Sequence, residues 1–154
     1  MPGEEFTSHE VIAGDMSSGL ILICDHARNA LPPRYGSLGL PPSEFTRHIA
    51  FDIGVEAVTR KVAANLGVPA ILSHFSRLRI APNRGIDDPT LIMKLSDGAI
   101  IPGNAEADEA ERLVRIERYY APYHAAIAGM IRSFHDHAIV PALLSIHSFT
   151  AHWK

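Results

Sequence analysis

The sequence lacks most features of a secreted or membrane-bound protein. Its 154 residues include a single cysteine, Cys24, so no disulfide can form within the chain and the composition suits a reducing compartment. Residues 1–15 do not contain the apolar core that follows basic residues in a signal peptide. No apolar run approaches the roughly 20 residues of a membrane-spanning helix. We therefore expect a cytoplasmic protein without membrane contact.

The sequence also has no block of like charges. The net charge is −3, with neither a basic block nor an acidic tail, so neither nucleic acid nor an anionic membrane is expected as a partner. A hydrophobic content of 47% is sufficient for the core of one domain of this length. The histidine content is high, at 9 residues, which favours metal binding or acid–base chemistry.

Three continuous apolar segments predict buried strands, and helical segments lie between them. The strands are "GLILIC", "VPAILSHF" and "VPALLSI", and the helices are predicted over residues 52–67, 106–120 and 122–138. Pro122 is expected to break or kink the chain between the last two of these helices. This alternation predicts an α/β fold, a three-layer sandwich around a mostly parallel, mixed sheet.

The first helix shows a clear apolar pattern, and two long loops adjoin the strands. Val55, Val58, Val62 and Leu66 share one helical face, which is therefore predicted to be buried, and Gly67 ends the helix. Residues 25–45 and 76–90 are rich in proline and glycine and are predicted to be irregular. Long loops in compact domains often carry function.

Two histidines are predicted to lie at the carboxyl edge of the sheet, where ligands bind in open α/β folds. His26 follows the first strand and His147 ends the last, so both could bind zinc, unless they are unrelated loop residues. Asp52 is the candidate third ligand, although its position before a helix also suits an N-cap. His48, four residues earlier, is the reserve ligand. Asp25 is a candidate for orienting His26.

Polar residues in the two loops are candidates for binding substrate. Arg77, Arg79 and Arg84 lie close to Asn83, and arginine forks bind carboxylates bidentately, although a solvated turn is the simpler explanation from the sequence alone. Asn29 stands three residues after His26, where some zinc motifs carry a carboxylate. A neutral amide is a poor zinc ligand, so Asn29 is assigned to substrate binding.

Six segments in order make the chain resemble the N-formylglutamate amidohydrolase family. They are "CDHARNALP", "RHIAFDIGVEAV", "SRLRIAPNRG", "SDGAIIPGN", "YYAPYHAAI" and "LLSIHSFT". The resemblance implies a phosphorylase/hydrolase-like fold, distantly similar to zinc carboxypeptidases and aspartoacylases. It also implies Zn²⁺ bound by His26, Asp52 and His147. A substrate carboxylate would be bound by Arg77, Asn83 and Arg84.

The sequence departs from the family pattern in two ways. The aspartate of the family's arginine loop falls on Ala81, so its role is lost or moved. Family members also continue beyond the last block, and the glutamate that activates water is expected beyond Lys154. The catalytic base is therefore unknown, and we expect a domain over residues 19–154 that is incomplete at its C-terminus, after an N-terminal extension over residues 1–18.

The leading hypothesis is a zinc-dependent hydrolase that cleaves the amide bond of a small N-acyl amino acid such as N-formylglutamate. Two alternatives stay open. A non-catalytic small-molecule-binding protein could retain the same fold and the arginine loop. A zinc amidase acting on cell-wall peptides could carry the same late histidine segment.

Overall fold

A computed structural model describes residues 6–152, which form a four-stranded sheet and a separate two-stranded hairpin. The order in the main sheet is β1-β3-β2-β6, and β4 pairs with β5. The six strands are β1 (His9–Ile12), β2 (Leu20–Cys24), β3 (Ala70–Ser73), β4 (Leu95–Ser96), β5 (Ala99–Ile100) and β6 (Ala142–Ser145).

The helices lie between these strands. Short 3₁₀ turns at Met16–Ser18, Pro33–Tyr35 and Pro42–Thr46 interrupt the loops. The longer elements are α1 (Val55–Leu66), α2 (Pro102–Ala105), α3 (Glu109–Arg115), a π-helical segment (Ile116–Tyr120) and α4 (Ala121–Asp136). Among residues 6–152, no helix has the length and apolar content needed to cross a membrane.

The sheet is mixed and mostly parallel, as predicted. β2 pairs in parallel with both β3 and β6, whereas β1 is antiparallel to β3. β1 was not predicted from the sequence, and it lies within the predicted N-terminal extension. Its four residues align His9 with Ser73 and Ile12 with Ala70, so this part of the extension completes one edge of the sheet. Residues 1–5 of the extension lie outside the described residues.

The two faces of the sheet pack against different helices. Ile21 and Ile71 point to one side and share a core with Phe134 of α4, while Leu22 points to the other side and packs with Val55 of α1. Alternate residues of a strand face opposite sides, so a strand that is apolar throughout suits burial on both faces. The predicted three-layer α/β sandwich is confirmed.

The last strand is not the buried strand that the sequence predicted. β6 lies at the edge of the sheet, and among the described strands it pairs only with β2. Leu143 and Leu144, whose side chains point to opposite faces, are each 48% exposed, and Val140 before the strand is 85% exposed. An apolar run predicts a strand, but burial depends on what covers each face and edge.

The buried face of α1 also differs from the prediction. Val55 is buried as expected, but Thr59 and Ala63 accompany it, while Val58 and Leu66 are more than half exposed. Residues four apart share a helical face, and the small side chains at 59 and 63 allow close packing on the sheet. The prediction considered only large apolar residues, and it therefore identified a neighbouring face of α1 as the buried one.

Pro122 does not separate two helices. α3, the π-helical segment and α4 follow one another without interruption from Glu109 to Asp136. Proline has no N–H to donate, and its ring collides with the carbonyl four residues earlier in a regular α-helix. The wider π turn immediately before Pro122 contains that carbonyl, so the helix accommodates the proline by a local change of pitch.

Candidate metal and substrate site

The parallel pairing of β2 with β6 brings two histidines to the same edge of the sheet. His26 lies two residues after the end of β2, and His147 lies two residues after the end of β6. Asp52 lies in the turn before α1, and its backbone N–H donates to the His26 carbonyl at 2.9 Å. Three segments that are distant in sequence therefore meet at this edge.

The side chains of His26, Asp52 and His147 form a compact group. One ligand atom from each residue lies within 4.8 Å of the other two. The Asp52 Oδ2 atom is 2.9 Å from His147 Nδ1 and 3.4 Å from His26 Nδ1. Imidazole nitrogens and a carboxylate oxygen are ligands suited to a divalent transition metal. This geometry provides three protein ligands for such an ion.

The hydrogen bonding of His26 supports a metal at this position. Its Nε2 atom lies 3.0 Å from the Asn83 Oδ1 atom, which can only accept a hydrogen bond, so Nε2 carries the proton. Its Nδ1 atom then carries a lone pair, and it is buried with no hydrogen-bond partner. Buried polar atoms are rarely left unpaired in native proteins. A metal ion beside Asp52 would satisfy this lone pair.

Asp52 is the electrostatic centre of the group. It is 3% exposed and accepts hydrogen bonds from the Ser148 N–H and from Arg77 Nη1, both at 3.3 Å. Burial alone would raise its pKa, but His26, His147 and Arg77 outweigh that effect and the net pKa is lowered. The N-cap interpretation is wrong, because Gly54 occupies that position and α1 has no side-chain cap.

Asp25 lies against His147, whereas the sequence analysis placed it beside His26. Its Oδ2 atom is 3.3 Å from His147 Nε2, and the Tyr123 hydroxyl donates to its Oδ1 atom at 2.7 Å. The hydrogen bond with Asp25 raises the pKa of His147, with Asp52 acting in the same direction. Burial would raise the pKa of Asp25, but hydrogen bonds from His147 and Tyr123 lower it overall.

The three candidate ligands line a cavity of about 210 Å³. The cavity also contains all three polar residues of the arginine loop that were predicted to bind substrate. Its full lining is His26, His48, Asp52, Arg77, Asn83, Arg84, His147, Ser148, Phe149 and Thr150. Cationic side chains therefore face the same space as the candidate metal ligands.

The two arginines of the cavity differ in their ion pairs and in their exposure. Arg77 is paired with Asp52, and burial, together with the nearby charge of Arg84, lowers its pKa. Arg84 has a side chain that is 44% exposed, and its ion pair with Asp88 is long, at 3.8 Å. Arg84 is therefore the cation of this loop that is more available to an incoming anion. Arg79, the third arginine, is fully buried and does not line the cavity.

Helix α4 and the π-helical segment hold the arginine loop in place. The Tyr120 hydroxyl donates to the Arg84 carbonyl at 2.7 Å, and His124 Nε2 lies 2.8 Å from the Pro82 carbonyl, to which it donates. π-Helical turns occur frequently at functional sites. Here the turn places the tyrosine at the end of the segment against the loop that carries Asn83.

Two of the predicted site residues lie outside the metal-binding group. His48 lines the cavity, but its Nε2 atom is 3.1 Å from Asp97 Oδ2, and it is not one of the three clustered ligands. Asn29 does not line the cavity, because its amide donates to the Phe45 carbonyl at 2.6 Å. Its assignment to substrate binding stays a prediction.

Several residues of the site were not predicted from the sequence. Ser145 is two residues before His147 in an extended segment, and its hydroxyl lies 3.0 Å from His147 Nε2. That spacing was a usable signal, because residues two apart in a strand share a face. Tyr123 and Ser148 had no such signal, since their contacts with Asp25 and Asp52 join distant segments.

The chain is similar to known proteins in both sequence and structure. The sequence model of the N-formylglutamate amidohydrolase family matches residues 18–154. No curated protein matches the chain. The solved structure of gene product Atu2144 from Agrobacterium tumefaciens is 30% identical, with a TM-score of 0.88 over 96% of this chain and 59% of that one.

A second solved structure shares the fold at lower identity. It is N-formylglutamate amidohydrolase from Ralstonia eutropha JMP134, which is 20% identical, with a TM-score of 0.65 over 97% of this chain and 64% of that one. The chain thus spans about three fifths of the length of either protein. With a family match covering residues 18–154, this chain belongs to the N-formylglutamate amidohydrolase family.

Proposed function

We propose that this protein takes part in zinc-dependent hydrolysis of the amide bond of an N-acyl amino acid, with N-formylglutamate as the model substrate. The observation that carries the proposal is the group formed by His26, Asp52 and His147 in a cavity that also presents Arg84. A metal ligand set beside an exposed cation suits a substrate with an amide at one position and a carboxylate at another.

Zinc would be held by His26 and His147 through Nδ1 and by Asp52 through its carboxylate. Bound zinc polarises a carbonyl oxygen and lowers the pKa of a water ligand towards about 7. Three protein ligands leave a coordination position open, as catalytic zinc sites require. Arg77 partly neutralises Asp52, so the protein groups around the ion carry little net charge.

Arg84 and Asn83 would position the substrate. The guanidinium of Arg84 can bind a carboxylate bidentately, and holding that end fixes where the amide lies relative to the metal ligands. Asn83 can donate to the substrate through its Nδ2 group, while its Oδ1 atom accepts from His26. The cavity, at about 210 Å³, is smaller than the roughly 300–1,000 Å³ of drug-sized pockets, which favours a small acyl amino acid over a cell-wall peptide.

The test measures both the zinc content of the protein and its hydrolytic activity. We expect purified protein to contain zinc, to release formate from N-formylglutamate, and to lose both properties with a strong chelator and regain them on adding zinc. The double variant His26→Ala/His147→Ala should contain no zinc, whereas His135→Ala, an exposed histidine on α4, should match the wild type. Zinc binding that is unchanged in the double variant would refute the proposal.

A second candidate is a small-molecule-binding protein without turnover. It is favoured by one observation, that Asp52 is the single carboxylate among the described residues lining the cavity, and it already belongs to the ligand group. A general base for hydrolysis is commonly a second carboxylate or a histidine, and the further histidine of the cavity, His48, is paired with Asp97. Calorimetric binding of N-formylglutamate by zinc-loaded protein with no formate release would support this candidate.

A further inference from the structure

The arginine loop, residues 76–85, differs in burial between its two halves. Its first half is largely buried, and two side chains from the helical region bind the backbone there. The Asn104 amide donates to the Leu78 carbonyl at 2.6 Å, and Arg115 Nη1 donates to the Arg79 carbonyl at 2.9 Å. Asn104 and Arg115 are at most 2% exposed. Packing and buried hydrogen bonds therefore fix the first half of the loop.

The second half of the loop carries two residues of the candidate site but is exposed. Asn83 and Arg84 line the cavity, and every residue from 83 to 87 is exposed. The Arg84 N–H donates to the Ala81 carbonyl at 3.1 Å, while Pro82 has no N–H to donate. Segments with few buried apolar contacts open most readily. The positions of Asn83 and Arg84 therefore depend on hydrogen bonds that join this half of the loop to the rest of the protein.

Two aromatic side chains of the long helical region supply these hydrogen bonds. The Tyr120 hydroxyl donates to the Arg84 carbonyl at 2.7 Å, and His124 Nε2 donates to the Pro82 carbonyl at 2.8 Å. The ring centroids of Tyr120 and His124 are 4.2 Å apart, so the two rings are in contact. An Nε2–H is present both in one neutral tautomer of histidine and in the imidazolium. The hydrogen bond from His124 therefore does not require a charge.

The two bound carbonyls enclose Asn83 and Arg84 in the chain. The Pro82 carbonyl belongs to the peptide group before Asn83, and the Arg84 carbonyl belongs to the peptide group after Arg84. We infer that Tyr120 and His124 are positioning residues, which hold Asn83 and Arg84 where both face the substrate cavity. Neither Tyr120 nor His124 lines the cavity itself. The inference rests on the proposed function for its substrate, but the order of the loop does not depend on that function.

Limited digestion with trypsin measures the order of the loop without metal or turnover. Trypsin cleaves after Arg84 and after Arg34, whose side chains are both 44% exposed, so one digest contains its own reference site. Cleavage follows the population of the opened segment when opening is fast. Loss of one hydrogen bond in Tyr120→Phe or in His124→Phe should raise the initial rate after Arg84 about 3- to 10-fold, with the rate after Arg34 unchanged. Mass spectrometry of the fragments gives both rates.

His124→Gln is the matched control for the digestion. Its side-chain amide can donate in place of Nε2, so the cleavage rate after Arg84 should return to that of the wild type. An unchanged rate after Arg84 in either Tyr120→Phe or His124→Phe would overturn the inference. An equal rise after Arg34 and Arg84 would also overturn it, because that result indicates a general loss of stability.

Substrate binding provides the second readout. In zinc-loaded protein, Tyr120→Phe and His124→Phe should each raise KM for N-formylglutamate about 3- to 10-fold with a smaller effect on kcat, and His124→Gln should restore KM. Misplaced binding groups weaken the hold on the substrate but leave the metal ligands in place. An unchanged KM together with faster cleavage after Arg84 would refute the positioning role. If zinc-loaded wild type releases no formate, the proposed function fails, while the digestion still decides whether the two residues hold the loop.

Discussion

The substitution Asp52→Asn tests the centre of the site most directly. The asparagine retains the shape of the side chain but removes the charge that faces Arg77 and the two histidines. The side chains of Asp52 and Arg77 are only 4% and 15% exposed, so water cannot replace the lost partner. Removing one member of a buried ion pair typically costs about 3–5 kcal/mol.

We expect the metal-free variant to be less stable than the wild type by about 3 kcal/mol, near the lower end of that range because Arg77 is partly accessible. The variant should also lose the stabilisation that zinc confers, which is about 2.7 kcal/mol for a free concentration 100 times the dissociation constant. Urea unfolding with and without zinc measures both quantities. His48→Gln should retain the zinc effect, because its side chain lies outside the ligand group.

Two results would refute this reasoning. The first is an Asp52→Asn variant that unfolds within 1 kcal/mol of the wild type without metal (about a fivefold change in the equilibrium constant). The second is that zinc stabilises Asp52→Asn as much as the wild type but no longer stabilises His48→Gln. That result would make His48 the third ligand. Asp88→Asn is the control for removing a carboxylate, because its pair with Arg84 is exposed and should contribute about 0–1 kcal/mol.

Three further predictions concern the core, the cavity and the dependence of stability on pH. Leu72→Ala, in the buried β3, should lower the free energy of unfolding by about 2–5 kcal/mol. Leu144→Ala, at a half-exposed position of β6, should lower it clearly less, and equal losses in urea titrations would contradict the position of β6 at the edge of the sheet. If the proposed function is correct, Arg84→Gln should raise KM for N-formylglutamate about 10- to 100-fold with little change in kcat, and an unchanged KM would exclude it as the carboxylate partner. The hydrogen bond from Arg60 lowers the pKa of Glu10 from 4.5 to about 2, so its contribution to stability is present above pH 4.5 and is lost as the pH falls towards 2. Glu10→Gln should therefore flatten the pH dependence of unfolding in that interval, and a curve parallel to the wild type would be evidence against the ion pair.

The elements of the fold were largely predictable because their signals are local. Continuous apolar runs located β2, β3 and β6, and charged residues followed by a long apolar face located the helices of residues 109–136. β1 was missed because its segment, "HEVI", is short and mixes polar with apolar residues. The face of α1 was misjudged because Thr59 and Ala63 are small, and their burial depends on how closely the helix approaches the sheet.

The candidate site was predictable in its membership but not in its internal contacts. A histidine at the end of a strand is visible in sequence, and parallel strands align their carboxyl ends, so His26 and His147 could be placed together. The partner of Asp25 could not be found in this way. Its neighbour in sequence is His26, yet its side chain contacts Tyr123, 98 residues away, and Ser145, 120 residues away.

The sequence by itself determined the segments of β2, β3, β6 and the longer helices, which family the blocks resemble and which side chains are candidates for the chemistry. Those properties depend on residue type and spacing within short stretches. Only the tertiary structure decided that β6 is an exposed edge strand, that Asp52 is a shared partner of two histidines and not a helix cap, and that Asp25 lies against His147. These outcomes depend on which strands pair and which loops meet, and long-range packing sets both.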